Sequence, residues 1–306
     1  MGQLAFVFPG QGAQQPGMGR ELYAASPAAK AVMDRAEALL PGLLKSCFEG
    51  PMEQLSRTEV LQPALMAVSL ACAAAAEEAG IRPDAAAGFS LGEWTACAYA
   101  GMLPFEQAFD LVRKRGEWMR QCAEQAPGGM AAVLRLGVDE LSEILKEFPG
   151  VLAVNFNAPD QTVVAAALPA LHAFLDAMKA RGVRCVRLNV SGAFHSPLMA
   201  DASAHLLAAL RAERIAPPAI PIISNLGAQP YGADAADTLA LQASSPVKWV
   251  DSIKTLARMG VTRFLELGPG TVLTGLVRKI LPDALVMQAE DPEGIRIAAE
   301  RLGVGA

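Results

Sequence analysis

The chain has 306 residues, 52% of them hydrophobic and 19% charged, which supplies a sizeable core and argues against disorder. Its net charge of −5 disfavours a broad nucleic-acid surface. The five cysteines, Cys47, Cys72, Cys97, Cys122 and Cys185, are odd in number and form no CxxC pair, so neither a disulfide framework nor a metal site is expected. Scattered core thiols in a reducing cytoplasm account for them. The start, Met1-Gly2-Gln3-Leu4, lacks the basic segment and cleavable apolar run of a secretory leader. The longest apolar run, Ala64 to Ala76, is shorter than a bilayer span and is followed by Glu77-Glu78, so a soluble cytoplasmic chain with no membrane partner is the expectation.

Leu4 to Phe8 predicts a short strand that ends in the turn formers Pro9-Gly10-Gln11-Gly12. Helical periodicity follows over Ala28–Leu40, and an alanine-rich helix is predicted from Pro63 to Ala79, with proline in its first turn. Ala85–Phe89 reads as a strand of small residues, Ser90 as a turn, and a helix starts at Leu91. A further helix covers 105–123. From Gly128 the order becomes strand, helix, strand, strand, helix, strand: Met130–Leu136, Val138–Glu147, Leu152–Asn157, Thr162–Ala166, Leu168–Arg181 and Val183–Val190. This is the βαββαβ order of a ferredoxin-like unit. A small domain is therefore predicted at 128–193, inserted in a larger one made of 1–127 and 194–306. In the remainder, a strand at Pro221–Asn225, a helix at Trp249–Met259, a strand at Arg263–Leu267 and a helix after Gly268-Pro269-Gly270 predict a parallel sheet flanked by helices.

Gly88-Phe89-Ser90-Leu91-Gly92 matches GxSxG. Glycines on both sides allow a sharp strand-to-helix turn that lifts the serine oxygen into a cleft, and the following helix aims free N–H groups at it. An ordinary glycine-rich turn is the alternative, and the small-residue strand before and helix after favour a nucleophile. Such a hydroxyl needs a base. Of three histidines, His172 and His205 fall inside predicted helices and read as surface or packing residues. His195 lies in a turn after a predicted strand, where catalytic side chains tend to sit, and is the candidate by elimination. No histidine follows His205, which disfavours an ordinary esterase or lipase, whose histidine comes late in the chain. No carboxylate stands out to orient His195, and a backbone carbonyl can do so instead.

On helix 105–123, Phe105, Ala108, Phe109, Val112, Gly116, Met119 and Ala123 form an apolar stripe. Arg115 falls about 60° from its centre, nearer than Arg113, Lys114 or Arg120. A guanidinium so close to a buried stripe needs an anion. Periodicity alone favours the ordinary accounts, a solvated basic face, a snorkelling stem or a protein carboxylate partner. A substrate carboxylate is the alternative, and the planar fork suits it.

Five spaced motifs then carry a resemblance: Phe8-Pro9-Gly10-Gln11-Gly12-Ala13-Gln14, Gly88–Glu93, Ala193-Phe194-His195-Ser196-Pro197-Leu198-Met199, Ser245-Pro246-Val247-Lys248-Trp249 and Glu266-Leu267-Gly268-Pro269-Gly270. In order and from end to end they resemble bacterial malonyl-CoA:acyl carrier protein transacylases and the acyltransferase domains of polyketide synthases. The resemblance implies an α/β-hydrolase-like domain with a ferredoxin-like insertion. It implies Ser90 as nucleophile, His195 as general base and acid, and the backbone N–H groups of Gln11 and Leu91 as oxyanion hole. Arg115, 25 residues after Ser90, takes the place of the arginine that grips the malonyl carboxylate, which reverses its weighting. Gln242 takes the place whose carbonyl orients the histidine. Phe194 would narrow the pocket beside the acyl α-carbon, and Met119, Asn155 and Asn157 have supporting places. The implied reaction is ping-pong transfer of malonyl from malonyl-CoA to the phosphopantetheine thiol of an acyl carrier protein, by a monomer with no resident cofactor. Fatty-acid, polyketide and malonate-decarboxylase carriers all remain open, as do a thioester hydrolase and a non-catalytic binding protein. Lys179, Arg181, Arg184, Arg278 and Lys279 are basic docking candidates, although solvated surface charge explains each one singly. One departure stands out: Phe89 occupies the position where the family usually has histidine, so the holding of the carboxylate end and the strictness of malonyl selection come into question.

Overall fold

The computed structural model describes residues 2–304. It is an α/β fold with a five-stranded parallel sheet and a second, four-stranded antiparallel sheet. The strands are β1 (Gln3–Phe8), β2 (Ala85–Gly88), β3 (Gly128–Leu134), β4 (Leu152–Ala158), β5 (Gln161–Ala167), β6 (Arg184–Arg187), β7 (Ile222–Ile223), β8 (Val261–Leu267) and β9 (Leu285–Ala289). The parallel sheet has the order β7-β2-β1-β8-β9. Central β1 is buried on both faces, as its unbroken apolar run requires. Leu4, Phe6 and Phe8 enter the larger core, while Ala5 and Val7 enter the core on the opposite side.

The larger core is built on the helix Thr58–Glu78, which packs against the helices Pro27–Leu39 and Phe105–Gln125. This helix begins at Thr58, before the predicted start, with Pro63 inside it. It is also long and apolar enough to cross a membrane, yet 83% of that stretch is buried inside the protein. The crossing with Phe105–Gln125 is close because of Gly116, where an added Cβ would lie 2.8 Å from the Thr58 carbonyl oxygen.

The antiparallel sheet has the order β4-β5-β3-β6. Ala131 and Val133 of β3 pack with Leu141 and Phe174 from the helices Val138–Leu145 and Leu168–Ala180. Met130 and Ala132 point the other way, into the larger core. A short parallel bridge joins the two sheets' surroundings: Phe156 N–H donates to the Val247 carbonyl at 3.0 Å, and Val247 N–H to that of Val154 at 2.8 Å. The strand predicted over Val183–Val190 is shorter, Arg184–Arg187, with one further bond from Leu188 N–H to the Met130 carbonyl at 2.9 Å. The strand predicted at Pro221–Asn225 shrinks likewise to Ile222–Ile223. Strand β9 and the helix Pro292–Leu302 were not anticipated.

Candidate active site

Ser90 sits at the junction of β2 and the helix Leu91–Tyr99, with φ 54° and ψ −104°. This strained turn is possible because the residues two before and two after Ser90 are glycines. A Cβ on Gly88 would lie 1.8 Å from the Gly92 carbonyl carbon, and one on Gly92 would lie 1.9 Å from the Phe8 carbonyl oxygen. Asn225 locks the turn from both sides. Its Oδ1 accepts from Ser90 N–H at 2.7 Å and its Nδ2 donates to the Gly88 carbonyl at 2.7 Å. Such support is what a non-glycine residue in a sparsely populated conformation requires.

Ser90 Oγ lies 2.7 Å from His195 Nε2. The other ring nitrogen, Nδ1, lies 3.0 Å from the Gln242 carbonyl oxygen. A carbonyl can only accept, so Nδ1 carries the proton and Nε2 presents a lone pair to the serine hydroxyl. His195 also has a positive φ, 61°, and its N–H donates to the Ala243 carbonyl at 3.1 Å. Burial, reinforced by the positive charge of Arg115, lowers its pKa from 6.5 to about 4 against the opposing pull of the Gln242 carbonyl. The imidazole is therefore neutral and available as a base at neutral pH. His172 and His205 are surface residues, the second tilted against Trp118 with ring centres 5.3 Å apart.

Arg115 is fully buried, which overturns the ordinary accounts that periodicity favoured. It is neither solvated nor salt-bridged to a carboxylate among the described residues. Its Nη1 donates to Gln62 Oε1 at 2.6 Å, and its Nη2 to Gln242 Oε1 at 2.9 Å and Ser90 Oγ at 3.2 Å. The close helix crossing at Gly116 is what brings Gln62 to the guanidinium. Nε has no protein partner. Burial lowers the Arg115 pKa to about 10, with Glu93 pulling it back up, so the charge persists at neutral pH. Met119 is fully buried and its sulfur accepts from Gln62 Nε2 at 3.6 Å. A cation with an unused donor thus faces the nucleophile, an arrangement suited to a substrate carrying a carboxylate near its acyl carbon.

Leu91 opens its helix, so its N–H lies before the first intrahelical bond. Gln11 lies in the turn after β1, and a Cβ on neighbouring Gly10 would sit 2.5 Å from the Phe89 carbonyl oxygen. The two loops are therefore in contact at the ends of adjacent strands, where open parallel sheets bind ligands. Phe194 is buried beside His195. Asn155 and Asn157 are buried on β4 with unpartnered Oδ1 atoms, and line a cavity of about 210 Å³ together with Gln11 and Phe89. Phe89 packs edge-on against Trp249 at 5.6 Å. None of the guanidinium's hydrogen bonds involves Phe89. A second, larger cleft of about 990 Å³ starts at Gln11 and runs past Arg57, Thr58, Arg120 and Leu188.

Four members of the site escaped sequence reasoning: Gln62, Glu93, Asn225 and Tyr231. Glu93 is fully buried within the helix that follows Ser90, and burial raises its pKa to about 7 against hydrogen bonds from Tyr231, Gln242 and Asn225. A signal was available for two of them. Glu93 is a charged residue in the first turn of an otherwise apolar helix, and Gln62 interrupts an apolar run. Of the basic docking candidates, Arg181 pairs with Glu147, Lys279 with Asp160 at 3.4 Å, and Arg278 donates to the Val286 carbonyl at 3.1 Å.

The family model described as acyl transferase domain matches residues 5–295. The chain is 40% identical over 310 residues to the malonyl CoA-acyl carrier protein transacylase of Bacillus subtilis, covering 99% of this chain and 98% of that one. The solved malonyl CoA-acyl carrier protein transacylase of Clostridium perfringens superposes with a TM-score of 0.94 at 32% identity, covering 98% and 97% of the two chains. A malonyl-transacylase solved in complex with a type II polyketide-synthase acyl-carrier protein superposes with a TM-score of 0.93 at 34% identity, over 98% and 99%. With His195 and Arg115 both meeting the Ser90 hydroxyl at the end of β2, the chain belongs to the acyl transferase domain family.

Proposed function

We propose that this protein transfers a malonyl group from malonyl-CoA to the phosphopantetheine thiol of an acyl carrier protein through an acyl-serine. The observation that carries this reading is the convergence on one oxygen: Ser90 Oγ is 2.7 Å from His195 Nε2 and 3.2 Å from Arg115 Nη2. His195 Nε2 takes the hydroxyl proton as Oγ bonds to the thioester carbonyl carbon. The oxyanion that forms is received by the Gln11 and Leu91 N–H groups, each worth about 3 kcal/mol of barrier. The carbon–sulfur bond breaks and the coenzyme A sulfur leaves with the proton from His195. The carrier's thiol then gives a proton to His195 and attacks the ester, and Oγ departs and recovers the proton. Arg115 holds the malonyl carboxylate, and Phe194, Met119 and Asn155 shape the surrounding pocket.

The same reading takes the antiparallel sheet and its two helices as a ferredoxin-like unit at 128–193 within an α/β-hydrolase-like domain at 1–127 and 194–306. The strand order β4-β5-β3-β6 supports it. The protein is read as a cytoplasmic monomer that needs no resident cofactor, because coenzyme A and phosphopantetheine arrive with donor and acceptor. Incubation with malonyl-CoA and no carrier should add one malonyl group to the Ser90 peptide by mass spectrometry, and Ser90→Ala should remove the adduct. An unmodified Ser90, or an adduct on another residue, would refute the mechanism.

A further inference from the structure

Glu93 touches neither the nucleophile's hydroxyl nor the base, yet a single residue connects it to all three members of the site. Its Oε1 accepts from Asn225 N–H at 3.0 Å and from the Tyr231 hydroxyl at 2.5 Å. Its Oε2 accepts from Gln242 Nε2 at 2.7 Å. That same Nε2 donates to the Ser90 carbonyl at 2.6 Å, Gln242 Oε1 accepts from Arg115, and the Gln242 main-chain carbonyl accepts from His195.

We infer that Glu93 is a positioning residue which, through the side-chain amide of Gln242, holds Arg115 in place while taking none of its donors directly. The inference rests on the reading of Arg115 as the carboxylate-binding group. An amide has one donor end and one acceptor end, and Glu93 Oε2 presents an acceptor to it. Glu93 therefore fixes which end of Gln242 faces it, and the acceptor end is left facing Arg115. The cation on the carbonyl side polarises the amide, so its N–H side donates more strongly to Glu93. A carboxylate placed directly on the guanidinium would instead take the fork that the substrate needs. The relay avoids this: the guanidinium's protein partners are neutral oxygens, and its Nε has none. In Glu93→Gln one carboxylate oxygen becomes an NH2 group. It then meets a donor at Gln242, or at Asn225 if it turns the other way, and the amide of Gln242 loses its fixed sense.

The test is single-turnover acylation of Ser90 from malonyl-CoA and from acetyl-CoA, followed by mass spectrometry, in the wild-type protein, Arg115→Ala, Glu93→Gln, Gln242→Met and the double variant. Gln242→Met removes the amide but keeps the main-chain carbonyl that holds His195. Glu93→Gln and Gln242→Met should each lower the malonyl-over-acetyl ratio about tenfold, as expected for a hydrogen bond to a charged group. The loss should fall mainly on the apparent KM for malonyl-CoA, and the double variant should be no worse than Gln242→Met alone. A structural role would lower both donors' reactions together and leave the ratio unmoved. Should Glu93→Gln fail to fold, Gln242→Met decides. A wild-type ratio in Gln242→Met or in folded Glu93→Gln overturns the inference, while a wild-type ratio in Arg115→Ala overturns the reading beneath it.

Discussion

Replacing His195 by glutamine should change how stability depends on pH, in a direction set by the site's burial. Below pH 6.5 the unfolded chain binds a proton at position 195 that the folded chain refuses until about pH 4. The contribution of the neutral imidazole is thus complete above pH 6.5 and is lost as pH falls toward 4, by about 3 kcal/mol at about 1.4 kcal/mol per pKa unit. Glu93 acts in the opposite sense. Its folded carboxyl keeps a proton up to about pH 7, whereas the unfolded one releases it near 4.5. Its contribution is complete below 4.5 and is lost as pH rises through 7. Between these limits the two slopes oppose each other, and folding in effect moves one proton from the histidine to the glutamate. His195→Gln removes only the first contribution. Urea unfolding of both proteins at pH 7, 5.5 and 4 should find the variant gaining about 3 kcal/mol relative to wild type as pH falls. His172 and His205 are common to both proteins and cancel in the difference. A difference that stays flat across this range would mean that burial and Arg115 do not hold the imidazole neutral.

Gly92→Ala should destabilise the fold by at least about 3 kcal/mol in the same unfolding assay, because its Cβ would lie 1.9 Å from the Phe8 carbonyl oxygen, and wild-type stability would contradict the packing at the Ser90 turn. Phe89→His should lose about 1 kcal/mol of stability, the edge-on contact with Trp249. Its malonyl-over-acetyl ratio should stay at the wild-type value, and a changed ratio would bring position 89 into the carboxylate site.

The parts of the site that lie in short motifs were legible in the sequence, and those made by tertiary contact were not. Ser90 and the glycines beside it announce their turn because backbone sterics act between neighbours in the chain. His195 could be reached by elimination among three histidines. Arg115 was misjudged by periodicity, since a helical wheel records which face a residue occupies but not what meets it there. Its neutral acceptors come from Gln62, 53 residues before it, and Gln242, 127 residues after it. Asn225 carried no local signal, as its role is to bridge two backbone groups more than 130 residues away. The order of elements in the antiparallel unit was legible, because its strands and helices alternate with clear turns, although its last strand is half the expected length. Strand β9 was missed because it has only five residues and half-buried Gln288 interrupts its apolar pattern.

The backbone bonds between Val154, Phe156 and Val247 bear on how turnover proceeds. They fasten the two walls of the cleft like stitches, so swinging the walls apart would break both, at about 1 kcal/mol each, and would also uncover Met130 and Ala132 from the larger core. On the proposed mechanism these bonds favour a gap of constant width through both half-reactions. Donor and acceptor would then take turns by withdrawing one slender arm lengthwise and threading in the next.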